Sequence, residues 1–201
     1  MLDTLARLGF PLSCPGCGAP AELVCPTCAA TLRPPPPVRP PPGVDAWFAP
    51  FSYEGVAREL VARVKYRRAH AVVGWLAAAM AADVTVPADA VVAWAPTTPA
   101  RRRERGFDHA ELLARRFATR LDMPVRSLLT RGPGAPQTGL PAAARGRGPR
   151  FSTRGHPAAT VVVVDDVATT GATLRAAAEA LRSAGARRIV AITAARTPPP
   201  G

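Results

Sequence analysis

The sequence predicts an α/β fold in which a parallel sheet is flanked by helices and preceded by a small cysteine-built module. Three observations lead there. Val161–Val164 is a run of four β-branched residues, as in a strand covered on both faces, and a helical pattern of Leu174, Ala177, Ala178 and Leu181 follows it. Ala90–Ala95 reads as a second buried strand and also leads into a helical pattern. All four cysteines fall between positions 14 and 28, which sets residues 1–32 apart from the rest.

At 201 residues the chain can hold one medium α/β domain with a small appendage. Its formal charge of +12 and its pI of about 11.3 favour anionic partners such as nucleotides, nucleic acid or acidic lipid. Arginine carries nearly all of this charge, Lys65 being the only lysine. A GC-rich coding sequence would enrich Arg, Ala and Pro together and account for part of it. The first apolar stretch is broken by Arg7 and Pro11, unlike a signal peptide, and no apolar run reaches membrane-spanning length. A cytoplasmic protein without a membrane span is expected.

In the N-terminal module, Cys14, Cys17, Cys25 and Cys28 form two Cys-x-x-Cys turns. Each turn sets two thiolates on one side of a tight loop, and two turns complete a tetrahedral Zn²⁺ shell with no open position, hence a structural metal. Gly16 and Gly18 allow the tight conformation. Two disulfides are the alternative, in an exported protein. Residues 33–44, with seven prolines between Pro34 and Pro42, read as a linker of polyproline II character before a main domain at 45–201.

Residues 46–53 are aromatic and extended, one strand or a strand pair. Two helices follow, about Gly55–Arg68 with Val56, Leu60, Val61 and Val64 on one face, and about Ala71–Ala82, apolar enough to be buried. Lys65-Tyr66-Arg67-Arg68 suits stacking and charge neutralisation on a nucleic acid strand, or equally a solvated helix C-terminus. After the strand at 90–95, Thr97, Thr98, Arg101, Arg102, Arg103 and Arg105 read as an Arg-rich loop able to grip a pyrophosphate bidentately, the plain alternative being a solvated basic turn. The next helix runs to about Leu121. Its His109 is either a proton donor or a solvent-facing residue at a helix start, and the solvent-facing reading is preferred. Residues 126–158 show little periodicity and read as a long functional or mobile loop.

Past the valine strand come Asp165 and Asp166, then Val167, Ala168, Thr169, Thr170, Gly171 and Thr173. A helix starting near Thr170 would aim its free N–H groups and the positive end of its dipole at the space above the strand, which with the threonine hydroxyls suits a phosphate. The acids suit sugar hydroxyls or a hydrated Mg²⁺. An ordinary capped strand-to-helix turn is the alternative, though two adjacent acids and Thr-Thr-Gly-x-Thr exceed what capping needs. Gly185 then reads as a helix stop and Arg188–Ala194 as a further strand, making a right-handed βαβ unit.

The acid pair with Thr-Thr-Gly-x-Thr resembles the ribose-5-phosphate loop of the type I phosphoribosyltransferases. The resemblance implies a type I phosphoribosyltransferase-like fold. It assigns Val167, Ala168, Thr169, Thr170, Gly171 and Thr173 to the 5-phosphate of phosphoribosyl pyrophosphate and Asp165 and Asp166 to the ribose hydroxyls. Pro96-x-x-Pro99 and Arg105-Gly-Phe-Asp-His-Ala110 further resemble the ComF family, whose signature is Arg-Gly-Phe-Asn-Gln-Ala and whose cysteine zinc module precedes such a domain. Lys65, and Arg131 through Gln137-Thr138-Gly139-Leu140 to Arg145, extend the likeness. This chain departs from it at Ala95-Pro-Thr-Thr98 and at Asp108-His109.

The resemblance makes Gln137, Arg145 and Arg147 candidates on a flexible loop closing over the site. It implies Zn²⁺ and Mg²⁺ as metals and phosphoribosyl pyrophosphate or a related phosphosugar or nucleotide as ligand. Single-stranded DNA and DNA-processing proteins of competence are further implied partners, and a homodimer is a further expectation. Thr169 stands where purine-salvage members carry a third acid, and their C-terminal hood is missing, so a 6-oxopurine acceptor is not expected. Two functions stay open. One is phosphoribosyl transfer to an unidentified acceptor. The other is a non-catalytic ligand-sensing or DNA-binding role in DNA uptake.

Overall fold

The computed structural model describes residues 13–21, 23–64, 70–82, 84–132 and 148–199. Lys65, Tyr66, Gln137, Arg145 and Arg147 lie outside the described residues, so what was expected of them has no structural counterpart here.

The elements follow in chain order: α1 (Pro26–Ala29), β1 (Ala46–Phe48), β2 (Phe51–Ser52), α2 (Gly55–Val64), α3 (His70–Ala82), β3 (Val91–Trp94), α4 (Pro99–Arg105), α5 (His109–Arg120), β4 (Leu129–Arg131), β5 (Phe151–Thr153), β6 (Thr160–Ala168), α6 (Ala172–Ser183) and β7 (Arg188–Arg196). The main sheet is parallel, in the order β1-β7-β6-β3, with β2 also on β7. β1 and β2 keep one register, Ala46 opposite Val190 and Phe51 opposite Ala195, so they are one edge strand interrupted at Ala49-Pro50. Proline has no N–H to give a ladder, which confines it to such an edge.

Alternation along the strands builds two cores. Val162, Val164, Val190 and Ile192 face α2, α3 and α5, where Leu60, Leu76, Leu113 and Phe117 are fully buried. Val161, Val163, Ile189 and Ala191 face α6 through Leu174, Ala177, Ala178 and Leu181. Helices therefore cover both faces, which is why β6 carries valine at four successive positions.

Three local expectations are corrected. Residues 99–105 are a short helix, not a loop: Thr98 caps it, Pro99 occupies its first turn and Gly106 (φ 81°) ends it. The long aperiodic segment is not without structure, because β4 and β5 pair antiparallel, Leu129 opposite Thr153. β6 continues through the acids to Ala168, and α6 begins at Ala172 with no side-chain cap, Gly171 (φ 71°) making the turn.

The proline segment takes no helix or strand, and it does not stand free of the sheet edge. The Ser52 N–H donates to the Arg33 carbonyl at 2.8 Å, Arg182 Nε donates to the Gly43 carbonyl at 2.8 Å, and Arg196 Nη2 donates to the Pro36 carbonyl. It runs as a strap from the C-terminal end of β7, at Arg196, along α6 to Arg182.

Candidate functional site

A cleft of about 390 Å³ opens at the carboxyl edge of the parallel strands, between the end of β6 and the segment after β3. This is where open α/β sheets bind ligands. Asp165 and Asp166 are successive residues of β6, so their side chains leave opposite faces of the strand, yet both line the cleft. Asp165 Oδ1 accepts from the Asp166 N–H at 2.9 Å, and Asp166 Oδ1 accepts from the Val167 N–H at 2.8 Å.

The two acids differ in state. Burial, and then the charge of Asp166, push the Asp165 carboxyl well above the usual carboxylate range. Burial acts on Asp166 in the same direction and is the largest single influence, but the hydrogen bond and charge of His109, with the hydrogen bonds from Asp165 and the Val167 N–H, together outweigh it and hold that carboxyl down at about 2. His109 Nε2 lies 3.1 Å from Asp166 Oδ2, and its Nδ1 lies 3.4 Å from Arg105 Nη1. The ring thus stands between the Arg105 guanidinium and the Asp166 carboxylate. The pair is therefore split: Asp166 is held ionised, whereas the charge of Asp165 is disfavoured.

His109 is therefore buried and engaged, against the preferred expectation of a solvent-facing residue. Asp108 next to it caps α5, its Oδ1 accepting from the Ala110 and Glu111 N–H groups at 3.1 and 3.4 Å. Its Oδ2 accepts from the Thr97 N–H at 2.8 Å, tying the segment after β3 to the start of α5.

The arginines expected to act together are divided. Arg101 and Arg105, one helical turn apart on α4, line the cleft. Arg102 and Arg103 are exposed and do not, and Arg102 pairs with Glu111 at 3.9 Å. Thr97 lines the cleft, whereas Thr98 is spent on capping α4. Of the turn after the acids, Val167, Thr169 and Thr173 line the cleft, Ala168 is buried, and Thr170 and Gly171 border a neighbouring cavity. Sequence reasoning left four cleft residues out of the site: Ala95, His109, Tyr53 and Arg131. Tyr53 arrives from the end of the edge strand, and Arg131 from β4, its Nη1 3.5 Å from the Pro96 carbonyl and its charge disfavoured by burial.

The four cysteines form a second cluster. Their sulfurs all lie within 4.8 Å of one another, with Cys17 and Cys25 3.6 Å apart. Four sulfurs about 2.3 Å from one tetrahedral ion stand roughly 3.8 Å apart, so the set can hold a metal such as zinc. Backbone N–H groups, led by that of Cys25, bring the Cys14 thiol down to about 6, while the hydrogen bond with Cys14 pushes Cys28 up to about 12. Crowded thiols ionise together only around a cation. The knuckle is seated on α2: Arg63 Nη1 donates to the Ser13 carbonyl at 2.9 Å, and a β-carbon on Gly16 would stand 2.7 Å from both Cys28 Sγ and Val56 Cγ2.

Residues 105–199 match the family model described as phosphoribosyl transferase domain. No curated protein matches the chain. Among solved structures it is similar to an allosteric regulatory enzyme of purine biosynthesis, at 22% identity over 68% of this chain and 26% of that one (TM-score 0.41). It is similar to glutamine phosphoribosylpyrophosphate amidotransferase from B. subtilis in complex with ADP and GMP, at 23% identity over 66% and 26% (TM-score 0.40). It is also similar to orotate phosphoribosyltransferase from Aeropyrum pernix, at 20% identity over 69% and 76% (TM-score 0.36). The chain thus spans about a quarter of the length of the first two. Among the described residues no helix is long and apolar enough to cross a membrane.

Proposed function

We propose that the cleft binds Mg²⁺–phosphoribosyl pyrophosphate and transfers its phosphoribosyl group to an acceptor, releasing pyrophosphate. One observation supports this most: a split acid pair, the hydroxyls of Thr169 and Thr173, and the guanidinium groups of Arg101, Arg105 and Arg131 line a single cleft at the sheet's carboxyl edge. In this reading the free N–H groups at the start of α6 and the Thr173 hydroxyl hold the 5-phosphate. Asp166, held ionised, accepts from a ribose hydroxyl, and Asp165, whose charge burial disfavours, is the acid of the pair more readily protonated. As the bond from the anomeric carbon to pyrophosphate breaks, negative charge grows on the leaving oxygens. Arginines carried on α4 and β4 stabilise it. The acceptor closes the new bond at the anomeric carbon and loses its proton to the departing pyrophosphate.

Zn²⁺ in the cysteine cluster has a structural role in this account, all four positions being filled by sulfur. The ComF-like reading extends it: the zinc module, the docked strap and the transferase-type domain form one unit. A purified chain incubated with Mg²⁺–phosphoribosyl pyrophosphate and a panel of nucleobases, amines and aromatic acids is expected to release pyrophosphate with one of them. Release that is unchanged in Arg101→Ala/Arg105→Ala, or absent with every acceptor while the ligand binds, would reject transfer.

A second reading, binding of single-stranded DNA without turnover, is favoured by the exposed Arg102 and Arg103 outside the cleft. It requires affinity that falls steeply with salt and that drops in Arg102→Ala/Arg103→Ala.

A further inference from the structure

A second cavity, about 580 Å³, lies under the proline strap beside the cleft. Thr169 borders both spaces. The floor of the cavity is the turn Thr170-Gly171 and the start of α6, and its roof is Val38, Pro41 and Pro42 of the strap. Arg39, Arg175 and Arg196 supply three positive charges, and among the described residues no acidic one lines it. Trp47 forms a wall, with the Arg196 guanidinium 4.8 Å from its ring centre.

The interior is not fully satisfied. Among the described residues, the buried side-chain polar atoms without a hydrogen-bond partner are Arg196 Nε and Thr197 Oγ1. Both residues line this cavity. Arg196 is only 6% exposed, with one guanidinium nitrogen given to the Pro36 carbonyl and its flat face on Trp47. Leaving a buried charged donor unpaired is costly, and native proteins seldom do so without a use for it. A donor on a fixed guanidinium, a buried hydroxyl and two more arginines are all complementary to one chemistry, an oxyanion. The proline and tryptophan walls are complementary to an apolar, flat body, and the volume is that of a small-molecule pocket.

From this geometry we infer a ligand site under the strap for a small organic anion, a carboxylate or phosphate on a flat apolar body, held by Arg196 and closed over by Arg39. It is distinct from the sugar cleft and adjoins it at Thr169. Its existence does not depend on phosphoribosyl transfer. If transfer occurs, the occupant sits beside the reacting sugar.

The test is calorimetry on the full chain with benzoate and with phenyl phosphate, each repeated with saturating ribose 5-phosphate so that the turn after β6 is not what is titrated. Benzamide serves as the uncharged control. Saturable binding of one or both anions is expected, with none for benzamide, and the anion that binds identifies the headgroup. Affinity should fall at least about tenfold in Arg196→Gln, the loss expected for a charged hydrogen bond. Arg39→Ala, on an exposed strap residue that spares the core, should weaken it as well. No saturable binding of either anion overturns the inference. So does equal binding of benzamide, or an affinity unchanged in a folded Arg39→Ala chain.

Discussion

His109 Nε2 donates to Asp166 Oδ2 across 3.1 Å, joining the first residue of α5 to the seventh of β6 and fixing which acid of the pair is ionised. The consequence for stability has opposite signs at the two acids. Asp166, depressed from its ordinary value to about 2, contributes stability that is present above the unfolded pKa near 4 and is lost as pH falls toward 2. Asp166→Asn should therefore cost about 2 kcal/mol at neutral pH and progressively less below pH 4. Urea unfolding at a series of pH values measures it.

Asp165 is raised, so its contribution is present below the unfolded pKa near 4 and is lost as pH rises through its folded value. Asp165→Asn, which resembles the protonated acid, should leave stability unchanged at pH 3 and raise it at pH 8. A loss at pH 8 would show that the carboxylate, not the acid, is the native form.

Asp108 serves two segments, and asparagine keeps only one of its oxygens. Asp108→Asn should retain the cap on α5 and lose the Thr97 bond, costing about 1 kcal/mol. It should also weaken pyrophosphate binding several-fold, since Thr97 stands on the cleft. Denaturation and a pyrophosphate titration together check the two effects.

Gly171 lies under the strap in a left-handed conformation, φ 71°, and a β-carbon there would stand 2.6 Å from Pro41 Cγ. Gly171→Ala should destabilise by about 1 kcal/mol from backbone strain alone. It should also loosen the strap, seen as faster proteolysis between Arg33 and Arg39 than in the parent chain.

The metal cluster gives a further expectation. Elemental analysis should find about one zinc per chain, and Cys28→Ser should abolish it. Because the knuckle packs on α2 through Gly16 and Arg63, chelation should also lower the melting temperature of the whole chain.

The parts of this molecule readable in advance were those with a local signature. Four valines in succession announce a strand between two layers of helices, and two Cys-x-x-Cys turns announce their own proximity. α4 escaped because a seven-residue helix with no buried residue has no apolar stripe to read, although Thr98, Pro99 and Gly106 were its punctuation. β4 and β5 are three residues each, too short for alternation to show. The burial of His109, and the arrival of Tyr53 and Arg131 at the cleft, depend on which strands become neighbours, and nothing adjacent in the sequence encodes that. The strap reads as a free spacer because its anchors, Arg182 and Arg196, lie at the far end of the chain.

The central claim is that the cleft holds a pyrophosphorylated ribose phosphate between the acid pair and the arginines. Isothermal titration of the full chain with Mg²⁺–phosphoribosyl pyrophosphate tests it most directly. Saturable binding is predicted, reduced at least about tenfold in a folded Asp165→Asn/Asp166→Asn chain, the loss of roughly one charged hydrogen bond. Absence of saturable heat, or equal affinity in that double variant, would contradict it.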